Sequence, residues 1–172
     1  MRLVDLFNLV IARINGPTKF AIKNGVSLGD NCKIRTFNFG SEPYLIKMGS
    51  NVSTARGVSF VNHDGGVEVL RNLYNEFKDA DLIGTIEIGD NVFIGLNSTV
   101  LYGSKIGSNV IIGSHSIVKG ELKSNSVYAG VPAKYICSIN EYREKNSKNI
   151  VRTKGLTNSE KKKYLLNHFF DN

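Results

Sequence analysis

The chain has no tryptophan, only three prolines and only two cysteines in 172 residues. Two cysteines, Cys32 and Cys137, cannot build a disulfide framework, so the composition points to a reducing, cytoplasmic compartment. Only three histidines are present, His63, His115 and His168. A zinc enzyme built on three histidines would need all of them, and His168 lies in the terminal tail; no metal site is expected. No apolar run reaches the roughly 20 residues that cross a bilayer. The opening stretch MRLVDLFNLVIARING contains Asp5 and lacks a small-residue cleavage site, which argues against a secretory signal. Its Leu3, Phe7, Val10 and Ile14 recur at helical spacing and predict a short helix with one apolar face. Packing on the protein or a neighbouring subunit accounts for that face, with weak peripheral membrane attachment as the alternative.

Acidic residues are also in deficit, leaving a net charge of +7. Basic proteins favour anionic partners. Much of the excess lies in EKNSKNIVRTKGLTNSEKKKYLL, where a solvated helix accounts for it. No arginine-rich or aromatic-basic pattern argues for nucleic acid.

What the chain does have is a repeat of six. From Ile88 it reads IGDNVF, IGLNST, VLYGSK, IGSNVI, IGSHSI and VKGELK. Position one is always Ile or Val: Ile88, Ile94, Val100, Ile106, Ile112, Val118. Position five is small or β-branched: Val92, Ser98, Ser104, Val110, Ser116. The same phase appears in LGDNCK from Leu28 and MGSNVS from Met48, broken by FNFGSEPYLIK. Each unit is one short strand plus a corner, and three units make a triangular coil. Successive coils pair as parallel strands about 4.8 Å apart. Position one points into the prism and position five fills the remainder. Cys32 falls in a position-five slot and is read as a small buried side chain rather than a reactive thiol. Lys105 and Lys123 are expected to stack on one face.

Position four carries the corner. It holds Asn31, Asn51, Asn91, Asn97, Asn109, Gly57 and Gly103, residues that tolerate a left-handed backbone. His63 and His115 fall in the same slot. After His63 the phase is lost through VEVLRNLYNEFKDADLIG, where Leu70, Leu73, Tyr74 and Phe77 stand at helical spacing. An inserted loop over residues 65–84 is therefore expected, of a length that usually serves function.

These hexapeptides, with STARGVSFVNHDGGVEVLR and VYAGVPAKYI, resemble the hexapeptide-repeat acyltransferases. The capsular and lipopolysaccharide O-acetyltransferase branch is most similar, with galactoside, maltose and xenobiotic acetyltransferases further off. The resemblance covers about residues 26–140. It implies a mainly β fold: a left-handed parallel β-helix over 26–134, after an N-terminal helix and lead-in over 1–25. A C-terminal helical tail over 135–172 follows. Handedness comes from the resemblance alone, since parallel crossovers are usually right-handed. It further implies a homotrimer with sites between subunits, and acetyl transfer from acetyl-CoA to a sugar hydroxyl without a metal.

By position in the resemblance, His63 is the catalytic base, and imidazole suits the task of taking a proton near neutral pH and returning it. Asp64 and Asn38 are the candidate acceptor-binding residues. Asp64 can equally be a carboxylate that stabilises the corner. Leu96, Ser114, Lys119 and Lys134 are the candidate acetyl-CoA residues, Lys134 through the CoA phosphates. His115 is read as a corner residue lining the CoA channel. Two alternatives stay open: transfer to the amine of an amino sugar, and a non-catalytic β-helix that only binds polysaccharide. The acceptor sugar is not legible.

Overall fold

An inward-facing aliphatic side chain at every sixth position makes each short strand one-sided, so the chain must coil to bury it. The computed structural model describes residues 16–170; the expected apolar face at Leu3, Phe7, Val10 and Ile14 lies outside them. Helix α1 is described over 16–23. It buries Ala21 completely and sets the Phe20 ring 5.4 Å from Phe37 and 6.3 Å from Phe39. Phe39 stacks in turn on Phe60 at 5.6 Å. These rings cover the open end of the coil, which would otherwise expose its apolar interior.

Thirteen strands follow among the described residues, in three sheets. The first face stacks β1 (Ser27–Leu28), β2 (Ile46–Met48), β5 (Ile86–Ile88), β8 (Ser104–Ile106) and β11 (Glu121–Leu122). The second stacks β3 (Ser53–Thr54), β6 (Val92–Ile94), β9 (Val110–Ile112), β12 (Ser126–Ala129) and β13 (Lys134–Ser138). The third stacks β4 (Ser59–Val61), β7 (Thr99–Leu101) and β10 (Ile117–Val118). Every pairing is parallel except β12 with β13, which folds back antiparallel. The chain visits the three faces in turn, as a triangular coil requires.

Register confirms the repeat and shows where it slips. Ile86 lies opposite Ser104 and Val92 opposite Val110, a step of eighteen. After Val118 the coil loses two residues, so Lys105 lies opposite Glu121 and Val110 opposite Ser126. The expected stacking of Lys105 on Lys123 is therefore corrected. The outer row of that face reads Lys47, Glu87, Lys105, Glu121, with alternating sign. Gly120, at φ +79°, makes the shortened corner.

All the position-one residues from Ile88 to Val118 are buried, at 5% exposure or less. Burying such a side chain is worth about 1.5–3 kcal/mol. The position-five serines are buried too, and their hydroxyls are satisfied: Ser98 and Ser116 donate to the Gly113 carbonyl, Ser104 to that of Val118. Position two is glycine because the coils touch there. A Cβ on Gly95 would lie 2.5 Å from the Ser114 nitrogen.

The corners hold the predicted left-handed residues: Asn31, Asn51, Asn91, Asn97 and Asn109 lie between φ +54° and +60°. Their amides also ladder, Asn91 donating to Asn109 and Asn109 to Asn125, each at 2.9 Å. His115 joins them at φ +58°. His63 does not; its expected corner conformation is corrected. It forms an antiparallel bridge with Ile83 instead. Asp64 N–H donates to the Leu82 carbonyl and Gly84 N–H to that of Asn62, both at 2.8 Å. Pairing with the returning arm of the loop replaces the corner.

That loop carries helix α2 (Val67–Leu73), which ends because Tyr74 is extended, followed by a 3-10 turn at Asn75–Phe77. The helical spacing from Leu70 to Phe77 thus spans two elements. Arg71 braces the loop through the Ala80 carbonyl and Asp81. Beyond β13, helix α3 (Ile139–Asn146) and helix α4 (Asn158–Phe170) are each opened by a reciprocal cap, Ser138 with Glu141 and Thr157 with Glu160. Those capping hydrogen bonds hold both glutamates below the usual carboxylate range. The described residues divide into two compact units, 16–141 and 142–170. No helix among the described residues is long and apolar enough to cross a membrane.

Candidate active site

The ring of His63 meets two side chains from the earlier break in the repeat. Its Nδ1 lies 2.9 Å from Ser41 Oγ and 3.2 Å from Glu42 Oε2. Ser41 Oγ donates to the same Glu42 oxygen at 3.0 Å. This triangle selects a tautomer. A carboxylate oxygen cannot face an imidazole lone pair favourably at this distance, so Nδ1 carries the hydrogen and Nε2 is left as the basic nitrogen. The Glu42 side chain is 16% exposed and His63 45% exposed, so the anchoring group is sheltered while the ring stays accessible.

Asp64 faces a different set of partners. One carboxylate oxygen accepts the Gly66 N–H at 2.8 Å, the other the Tyr102 hydroxyl at 2.9 Å. Lys119 Nζ lies 5.2 Å from the centre of the Tyr102 ring. The Gly66 N–H and then the Tyr102 hydroxyl, followed by the charges of Lys119 and His63, hold the Asp64 carboxyl below the usual range. The same bond pushes the Tyr102 phenol up. The structure therefore gives Asp64, expected to meet the acceptor, two partners within the chain.

These residues share one edge of the prism, between the third face and the first. Leu96 and Ser114 stand on another edge, between the second and third faces. Leu96 precedes corner residue Asn97, Ser114 precedes corner residue His115, and the His115 N–H donates to the Leu96 carbonyl at 2.7 Å. Lys134 lies exposed at the same edge, opposite Ala129 in the β12–β13 hairpin. The four candidate acetyl-CoA residues thus divide: Leu96, Ser114 and Lys134 on one edge, Lys119 on the edge of His63. Strand β7 separates the two edges within a coil. Asn38 bridges Ser59 at the start of the third face, its amide 3.4 Å from Ser59 Oγ.

Counting sixes did not reach Ser41, Glu42 or Tyr102. The signal for the first two was the break FNFGSEPYLIK itself, an interruption like the one after His63. Tyr102 is an aromatic at a position where the neighbouring repeats carry Asp, Asn-adjacent Leu or Ser. Among the described residues no cluster of three His, Cys, Asp or Glu is placed to hold a metal.

Residues 85–120 match the family described as bacterial transferase hexapeptide (six repeats). The chain is 45% identical to Protein CapG of Staphylococcus aureus over 153 residues, 87% of each chain. It is 32% identical over 135 residues to the galactoside O-acetyltransferase of Escherichia coli K12, covering 76% of this chain and 62% of that one. Among solved structures, a hexapeptide-repeat acetyltransferase of Vibrio cholerae, crystallised with acetyl-CoA, aligns with a TM-score of 0.55 at 19% identity. That alignment covers 66% of this chain and 60% of the other. The shared fold gives the coil its left-handed sense.

Proposed function

We propose that this chain, which belongs to the hexapeptide-repeat acetyltransferase family, transfers acetyl from acetyl-CoA to a sugar hydroxyl in the synthesis of a surface polysaccharide. The observation that carries the reading is the Ser41–Glu42 anchor on His63 Nδ1, which leaves Nε2 free as a base. In the proposed reaction Nε2 takes the hydroxyl proton as the oxygen bonds to the thioester carbonyl carbon. The resulting imidazolium is steadied by Glu42. As the carbon–sulfur bond breaks, the same proton passes to the departing CoA sulfur, leaving acetylated sugar, CoA and neutral His63. Glu42 and Ser41 fix the ring and its tautomer; neither needs to change protonation state.

The division of residues between two edges supports a homotrimer. His63 of one prism and the Leu96, Ser114 and Lys134 edge of the next would face one groove, a closed cyclic arrangement. The loop fits this reading: Val69 and Leu73 are 60% and 67% exposed on their own prism, an apolar surface suited to a neighbour. In this scheme Lys134 meets the CoA phosphates, and Asn38 and Asp64 lie toward the acceptor. A cytoplasmic location matches the supply of acetyl-CoA. The test is thiol release from acetyl-CoA against a panel of sugars and amino sugars. Hydroxyl acceptors should support release with wild-type protein and not with His63→Ala. Turnover confined to amines would move the reading to N-acetylation.

A further inference from the structure

Two arginines continue the Leu96 edge away from Lys134. Arg56 stands one coil before Leu96: its carbonyl accepts from Asn97 N–H at 3.1 Å, as the Leu96 carbonyl accepts from His115. Arg35 stands one coil earlier, its N–H donating to Thr54 Oγ1 at 2.9 Å. Both line one cleft of about 520 Å³ with Pro17, Thr36, Asn38 and Gly57, and among the described residues no carboxylate lines it. The ion pairs among the described residues lie elsewhere, at Glu42, Asp81 and Glu144. The Arg35 guanidinium makes one long bond, to the Thr54 carbonyl at 3.4 Å. Each guanidinium presents five N–H donors in a planar fork, a shape that matches phosphate oxygens two at a time.

We propose that this cleft binds the phosphoryl part of the acceptor, so that the sugar acetylated is carried on a phosphate or diphosphate. The inference rests on the transferase reading above. If the pantetheine chain runs from Lys134 past Ser114 to Leu96, the acceptor enters the groove from the other direction. Arg56 and Arg35 are the next side chains on that edge. Asn38, the acceptor candidate from the sequence, lines the same cleft and adds an amide donor. Two guanidiniums that form no ion pair with a described residue, in a cleft that no described carboxylate lines, favour a dianion over a neutral sugar.

The first test is calorimetry with inorganic pyrophosphate on the full chain saturated with CoA, which fills the cofactor groove. Wild-type protein and His63→Ala should both bind pyrophosphate. Affinity should fall about tenfold in Arg56→Gln and further in Arg35→Gln/Arg56→Gln. The Arg56 side chain makes no hydrogen bond to another described residue, so the single variant stands if the double one does not fold. No binding by wild-type protein, or equal binding by Arg56→Gln, overturns the proposal. The second test compares KM for a nucleoside-diphosphate sugar, a polyprenyl-diphosphate sugar and the free sugar. At least one diphosphate carrier should be used with the lower KM, and Arg56→Gln should raise that value about tenfold while leaving the free sugar unchanged. A free sugar served as well as both carriers overturns it. Full activity in His63→Ala defeats the catalytic reading alone and leaves pyrophosphate binding intact, so the two failures are distinguishable.

Discussion

Tyr102 donates its hydroxyl hydrogen to Asp64 across 38 residues of sequence, at 2.9 Å, and so ties the root of the loop to the next coil. Asp64 has its carboxyl held down by the Gly66 N–H and this hydroxyl. A carboxyl lower in the folded than in the unfolded chain stabilises above the ordinary aspartate value of about 3.9 and loses that contribution as pH falls through its folded value. Relative to an unstructured reference peptide at the same pH, pepsin cleavage near Leu73–Tyr74 should therefore accelerate only once the pH is well below the ordinary aspartate value, as Asp64 takes up its proton. Tyr102→Phe should move the onset upward, toward the ordinary value. An unchanged onset would mean that the Tyr102–Asp64 bond does not secure the loop.

The asparagine ladder gives a stability prediction with an internal control. Asn109 needs a left-handed backbone and accepts one ladder bond while donating another. Asn109→Gly keeps the backbone freedom and loses the bonds; Asn109→Ala loses both. Urea unfolding should show the alanine variant less stable than the glycine variant by about 1–2 kcal/mol. Equal losses would place all of the stabilisation in the amides.

At Gly95 the constraint is contact rather than conformation. Its added Cβ would press on the Ser114 nitrogen and the Ile112 carbonyl, at 2.5 and 2.8 Å, where backbone on both sides leaves little room to yield. Gly95→Ala should cost about 1–3 kcal/mol in urea unfolding, the range for overpacking. A neutral substitution would show that adjacent coils can separate there freely.

The two-edge arrangement predicts complementation. His63→Ala and Leu96→Glu chains should each be inactive alone, while co-expressed chains recover about a quarter of wild-type activity if the trimer assembles at random. No recovery in mixed assemblies would place both residues in a site within one chain.

Much of this was legible because a β-helix is written locally. Ile94 pairs with Ile112 and Val92 with Val110 as counting by eighteen requires, and the corners follow from Asn and Gly at one slot. The reading failed where a distant segment took over. His63 counted into a corner, but Ile83 returned to pair with it and held it extended. Lys123 counted onto Lys105, but two residues are missing after Val118. Glu42 had no register to count from, since it comes from the first break and reaches His63 only through the folded coil. The resemblance groups Leu96 and Lys119 in one cofactor set; the order of faces places them on different edges.

In the proposed mechanism His63 is the base and Glu42 its anchor. The direct measurement is kcat for acetyl transfer in His63→Gln and Glu42→Gln, with the Kd for acetyl-CoA measured alongside. A fall in kcat of about 10²–10⁴ is expected for His63→Gln and about tenfold for Glu42→Gln, with Kd unchanged within about twofold. A wild-type kcat in His63→Gln, or a loss that appears wholly in Kd, would contradict it.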